Sequence, residues 1–279
     1  MTSATNISPA IQPPFITPHR AAAVLSWTAT AWFCVAVAGQ LMFAFYVAAL
    51  YGGAIVQGNL ARWNTVAPHA YVPGATANNI AFGAHVMIAI VITIGGTLQL
   101  MPFVRRAAPA FHRVNGRVYV VLSVLTSIGG LFMVWGRGTV GDTVQHVGIS
   151  LDAALIMLCA ARALQHARAG RIANHRRWAM RLYLVVSGVW FFRVGLMFWI
   201  IVNHGPAGFD PATFTGPTLS ILSFAESLLP LAILELYLRA RDGGSVIRRL
   251  SVAVGLMVAT VATGVGIAAA AMFMWLPRI

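Results

Sequence analysis

The chain has 279 residues, of which 59% are hydrophobic and only 9% charged, and its mean hydropathy is +0.78. Soluble domains carry about a quarter charged residues, so this composition excludes a water-soluble globular domain and a disordered chain. The net charge of +13 comes from arginine alone, since the sequence contains no lysine. The arginines are grouped between apolar segments, which indicates contact with a membrane surface and no binding of nucleic acid.

Seven apolar segments, each near the length of about 20 residues that crosses a bilayer, predict an all-α polytopic integral membrane helical bundle. Residues 1–26 are expected to form a polar N-terminal segment without a signal-peptide pattern, and 27–279 a single transmembrane helical domain. Pro230, inside the sixth span, predicts a kink there. The predicted spans are 27–51, 80–104, 117–136, 143–165, 179–203, 217–238 and 250–276.

Arginine is distributed unevenly among the loops. The loops after the second, fourth and sixth spans hold four, six and four arginines with their flanks, and the alternate loops with the C-terminus hold three. Because positively charged loops stay in the cytoplasm, we expect a bacterial inner-membrane protein with a cytoplasmic N-terminus. Anionic phospholipid headgroups are the expected partners of these clusters. The candidate anion or headgroup contacts are Arg113, Arg117, Arg176, Arg177 and Arg181.

Three charged side chains fall inside apolar spans: Asp152 in the fourth, Arg193 in the fifth and Glu226 in the sixth. From the helical rise, each lies about 14 Å from the outer surface. Charges at such depth are costly unless they are paired or face a wet cavity. We expect a direct Arg193–Glu226 pair. The cluster is either a site that binds a small molecule or a proton, or an interhelical staple.

Four histidines fall near the ends of predicted spans. His85 and His146 lie near the outer ends of the second and fourth spans, and His112 and His175 lie at the cytoplasmic ends of the third and fifth. Because haem b takes two axial imidazoles from different helices, His85 with His146 and His112 with His175 are candidate haem ligands. This layout is similar to that of cytochrome b561-type proteins. The alternative is that these side chains bond between helices or lie at headgroup level.

Two stretches carry a family likeness. One runs from His85 through Gly95-Gly96, Gln99 and Arg105-Arg106 to Phe111-His-Arg-Val-Asn-Gly-Arg-Val-Tyr119, and the other from His175-Arg-Arg-Trp-Ala-Met-Arg-Leu-Tyr183 to Arg193. Over about residues 80–240 the chain resembles the bacterial predicted-membrane-protein family called domain of unknown function 2306. The resemblance implies a multi-pass membrane protein and no particular activity.

Three functions therefore stay open. The first is a bundle whose buried polar cluster binds or moves a small molecule or a proton. The second is a transmembrane electron carrier with b-type haem, and the third is a structural or assembly protein. The sequence contains no pattern typical of a catalytic nucleophile or of a metal site other than haem.

Overall fold

A computed structural model describes residues 17–137 and 140–279, so most of the expected N-terminal segment, residues 1–16, lies outside the described part. Within those ranges the regular structure is helical, apart from an isolated bridge between Asp210 and Thr215. The α-helices are α1 (Pro18–Val47), α2 (Gly53–Val56), α3 (Thr76–Leu100), α4 (Pro102–Ala107), α5 (Pro109–Phe132), α6 (Thr143–Arg168), α7 (Ile172–Val186), α8 (Gly188–Val202), α9 (Pro217–Gly243) and α10 (Val246–Ala270).

Six helical segments are long and apolar enough to cross a membrane, and the pair α7 and α8 supplies a seventh when it counts as one span. This confirms the prediction of an all-α multi-pass membrane bundle. The first span begins at Pro18, earlier than the predicted residue 27, because Thr17 accepts a hydrogen bond from the Arg20 amide and proline suits the first helical position. Short π-helical turns extend α1, α5 and α10 at Ala48–Gly52, Met133–Arg137 and Ala271–Trp275.

The fifth span is broken, although the sequence predicted one helix over 179–203. Helices α7 and α8 meet at Ser187 and Gly188 with a bend of 55°. The Ser187 hydroxyl donates to the Tyr183 carbonyl at 2.8 Å, and a serine–glycine pair is a common cause of sharp kinks. At Pro230, where a kink was expected, α9 remains a continuous helix. The 55° bend of the fifth span lies at Ser187 and Gly188, where the sequence predicted a continuous helix.

The first family-like stretch is a contact between α3 and α5. The Asn115 side chain donates to the Gly95 carbonyl at 2.9 Å, and the Gln99 side chain donates to the His112 carbonyl at 2.8 Å. The Tyr119 ring lies directly against the α-carbon of the neighbouring Gly96. Small residues let membrane helices approach closely, and side-chain amides then bond across the contact. This half of the motif therefore holds two spans together.

The arginine-poor end of the bundle is covered by two ordered connections. In the first, Trp63 is buried against Gly83 and donates its indole hydrogen to the Tyr51 carbonyl at 3.2 Å. In the second, the Phe214 carbonyl accepts a hydrogen bond from the Gln145 side chain at 3.2 Å. Both connections are thereby fixed to the spans beneath them.

Candidate functional site

Two buried carboxylates lie near each other in the middle of the bundle. Asp152 on α6 and Glu226 on α9 are each 6% exposed, and each lies within the electrostatic range of the other. Gly148 on α6 packs directly against Ser223 on α9. Each acid lies about one helical turn after this contact on its own helix. A side chain at position 148 would hold the helices apart, so this glycine helps to bring the two acids together.

The Asp152 carboxylate also touches the bend in the fifth span. A β-carbon at Gly188 would lie only 2.8 Å from Asp152 Oδ2. The other oxygen, Oδ1, is buried and has no hydrogen-bond partner in the described part of the chain. Among the described residues, no basic side chain forms an ion pair with Asp152 or Glu226. The two carboxyl groups therefore lie in the bundle interior without a direct neutralising contact.

Arg193 lies near the acids but does not form the expected direct pair with Glu226. No ion pair within 4.0 Å joins it to a described residue, although Glu226 is within its electrostatic range. Its guanidinium donates to the Val189 carbonyl at 3.1 Å and lies 5.5 Å from the centre of the Phe43 ring. These contacts turn the side chain back along α8 and toward α1. Arg193 therefore acts on Glu226 through space only.

A hydrogen-bonded network crosses the bundle at the level of the bend, and it was not predicted. The Gln40 side chain on α1 donates to the Ser187 hydroxyl at 2.9 Å. Its carbonyl oxygen accepts from Tyr183 at 2.7 Å and from Thr97 at 3.2 Å. The network joins α1 and α3 to the end of α7. Gln40 is a lone amide in an apolar span, and that is the sequence signal that marks it.

The structure does not join the outer histidines. The His85 ring on α3 lies against α5, with imidazole atoms 3.7 Å from the β-carbon positions of Gly129 and Gly130. The His146 ring on α6 packs edge-on against Trp135, with 5.8 Å between ring centres. Because α5 packs against both α3 and α6, each imidazole contacts α5 or the turn that extends it.

The inner histidines come closer together. His112 on α5 and His175 on α7 lie within electrostatic range of each other. His175 Nδ1 is 3.0 Å from the Ala163 carbonyl oxygen. If Nδ1 carries the hydrogen, this bond leaves Nε2 free to bind a metal. The His112 Nδ1 atom is buried without a partner among the residues described.

The candidate headgroup contacts divide into two groups. Arg177 pairs with Asp242, and Arg181 pairs with Glu235 at 2.7 Å, so these two hold α7 against α9. The remaining three are exposed and form no ion pair with a described residue. Only these three are therefore available to an external anion: Arg113, Arg117 and Arg176.

Comparison with known proteins identifies the family. A sequence-family profile described as "Predicted membrane protein (DUF2306)" matches residues 82–221, which is half of the chain. The chain belongs to this family. The matched region contains Asp152 and Arg193, and Glu226 lies just beyond it. No curated protein and no solved structure matches the chain significantly.

Proposed function

We propose that this membrane protein binds a proton at the Asp152–Glu226 pair and couples its binding and release to transport across the bilayer. The observation that carries the proposal is the pair itself: two like-charged groups, each 6% exposed, in the middle of the bundle and without a direct cation partner. Two neighbouring carboxylates in a medium of low dielectric strongly disfavour double ionisation. A shared proton removes most of that penalty.

The bend between α7 and α8 is the element that a change of proton occupancy would act on. Asp152 touches the bend at Gly188, and Gln40 holds the adjacent Ser187 from the other side. Release of a proton adds a negative charge to the acid pair that touches Gly188, whereas the contact between Gln40 and Ser187 stays neutral. That charge changes the balance between the two contacts, and a break between two helices is a place where such a change can alter their angle. The transported species is a proton or a small molecule that moves with it.

Infrared spectroscopy of the purified chain tests the proposal. We expect a protonated carboxyl carbonyl band near neutral pH in the wild type and its loss in the double variant Asp152→Asn with Glu226→Gln. Proton uptake into proteoliposomes, followed with a pH-sensitive dye, should be lost in the same variant. Asp210→Asn, in an exposed connection, is the matched control and should change neither signal. If the band and the uptake are the same in the double variant and the wild type, the pair is only a staple.

Haem-based electron transfer is the second candidate, and one observation favours it: His112 and His175 lie in mutual range at the arginine-rich end. The outer histidines contact separate places, His85 at Gly129 and Gly130 and His146 at Trp135, so this candidate is a single bis-imidazole centre at the arginine-rich end. A difference spectrum of reduced against oxidised protein, from cells well supplied with haem, tests this function. A b-type band that disappears in His112→Ala and His175→Ala would support it. A colourless wild-type preparation would exclude it.

The arginine-rich end is proposed to face the cytoplasm of a bacterial inner membrane. The loops that connect the even-numbered spans to the next span carry most of the arginine, and cytoplasmic loops are the ones that retain positive charge. Arg113, Arg117 and Arg176 are then placed to meet anionic phospholipid. Labelling of cysteines introduced into the loops, with a reagent that cannot cross the membrane, in intact cells and in inverted membrane vesicles, tests this orientation.

A further inference from the structure

A membrane-facing groove runs between α1 and the C-terminal turns that follow α10. It has a volume of about 290 Å³ and is mostly apolar. Neither Asp152 nor Glu226 lines it. Its lining includes Leu41, Met42, Phe45, Tyr46, Trp275 and Leu276.

Two residues that line the groove carry buried hydrogen-bond donors with no acceptor in the described ranges. Tyr46 is 3% exposed and Trp275 is 1% exposed. The Tyr46 hydroxyl and the Trp275 indole nitrogen are both without a partner there. Their rings stack at 6.3 Å between centres. Buried donors are usually satisfied, so this pair indicates a ligand that supplies acceptor oxygens.

Cations lie beyond these donors. Tyr46 is within electrostatic range of Tyr51, and Tyr51 is within range of both Arg193 and Arg278. Neither arginine forms an ion pair with any residue that the structure describes. Phe43 links the two regions, because its ring is 5.5 Å from Trp275 and also 5.5 Å from the Arg193 guanidinium. The field at the polar side of the groove is therefore positive.

We propose that this groove binds a lipid-soluble carboxylate, a single acyl chain with an ionised head. The chain would lie along Leu41, Met42 and Phe45, and the head would accept hydrogen bonds from Tyr46 and Trp275 in the field of the two arginines. The volume is at the lower end of small-ligand pockets, which suits one chain and not a two-chain lipid. The carboxylate is the acceptor that both the donors and the positive field favour. Arg193 also lies within electrostatic range of Glu226, but the residues that line the groove and its two donors are not part of the proposed proton site.

Photo-crosslinking of the full chain in phosphatidylcholine nanodiscs tests this proposal, with a diazirine-bearing palmitate as the probe. We expect adducts on residues 41–46 and 271–279. Unlabelled palmitate should reduce the labelling about tenfold, while its methyl ester, which has no charge, should have little effect. Arg193→Gln should remove most of this difference between acid and ester.

A matched pair of variants separates specific binding from general contact with lipid. Met42→Trp fills the groove, whereas Val121→Trp places the same side chain at an exposed position on α5. We expect about tenfold less labelling in the first and unchanged labelling in the second. The proposal is overturned if the ester competes as well as the acid, or if adducts spread over the lipid-facing surfaces of α3 and α5. The groove then holds an adventitious lipid only. The acid–ester comparison on the wild type decides the matter even if a variant fails to fold.

Discussion

Four acidic side chains of this protein occur in two different settings, two of them in ion pairs and two of them buried without one. At the arginine-rich end, Glu235 pairs with Arg181 at 2.7 Å and Asp242 pairs with Arg177 and Arg241. In the middle of the bundle, Asp152 and Glu226 are far more buried and have no such pair in the described part of the chain. Of these four acids, the two with access to solvent are neutralised by arginine, and the two buried ones are not.

The difference separates charges that hold helices together from charges placed for another purpose. An ion pair near the surface contributes little but also loses little hydration. A buried carboxylate without a partner is a large penalty, and a fold that needed only a staple would place an arginine against it. Arg193 lies within electrostatic range of Glu226, yet its guanidinium donates to the Val189 carbonyl instead. The central pair is thus the stronger candidate for chemistry.

The largest expected effect comes from filling the space at the bend. Gly188→Leu places a β-carbon only 2.8 Å from Asp152 Oδ2, and overpacking of this kind costs about 2 kcal/mol of unfolding free energy. Thermal unfolding in detergent measures the change. Gly255→Leu, where no atom lies within 4 Å of the new side chain's base, is the control and should be neutral. Equal stability of the two variants would mean that the close contact between Asp152 and the bend contributes nothing to the stability of the fold.

An intermediate effect is expected from the network beside the acids. Gln40→Leu leaves the Tyr183 and Thr97 hydroxyls without their shared acceptor and Ser187 without its donor. We expect a loss of about 1–2 kcal/mol in the free energy of unfolding, since interhelical polar contacts in membranes have this size. Gln57→Leu, at an exposed position, should cost nothing measurable. A loss confined to Gln57→Leu, or equal in both variants, would contradict the role given to the network.

The smallest expected effects differ in sign between a buried acid of the central pair and an ion-paired acid at the arginine-rich end. Glu226→Gln replaces one carboxyl of the pair with a neutral amide, so the cost of keeping a proton on two neighbouring buried acids at neutral pH disappears and the free energy of unfolding should rise by about 1 kcal/mol. Glu235→Gln removes a half-exposed ion pair with Arg181, so it should fall by up to about 1 kcal/mol. Urea or thermal unfolding at neutral pH checks both. If both variants lose stability, Glu226 is a structural charge like Glu235.

Membership of the fold class could be predicted because it depends on composition and span length, which are local properties. The positions of Asp152, Glu226 and Arg193 inside spans were also visible, since any charge in an apolar run is conspicuous. The contacts that these three side chains form were not visible in the sequence. The direction in which Arg193 extends depends on the rotation of α8 after a bend, and that bend results from Ser187 and Gly188 in a span that reads as continuous.

The sequence by itself determined a multi-pass helical membrane protein of the DUF2306 family, because bilayer thickness converts hydropathy directly into spans. Only the tertiary structure decided which polar groups meet. It placed Gly148 against Ser223, one helical turn before the two acids, joined Gln40 to the bend, and packed the two outer histidines against α5 and the turn that extends it. The reason is physical: the membrane imposes the helices one at a time, whereas their rotation and partners depend on the packing of small side chains across every interface.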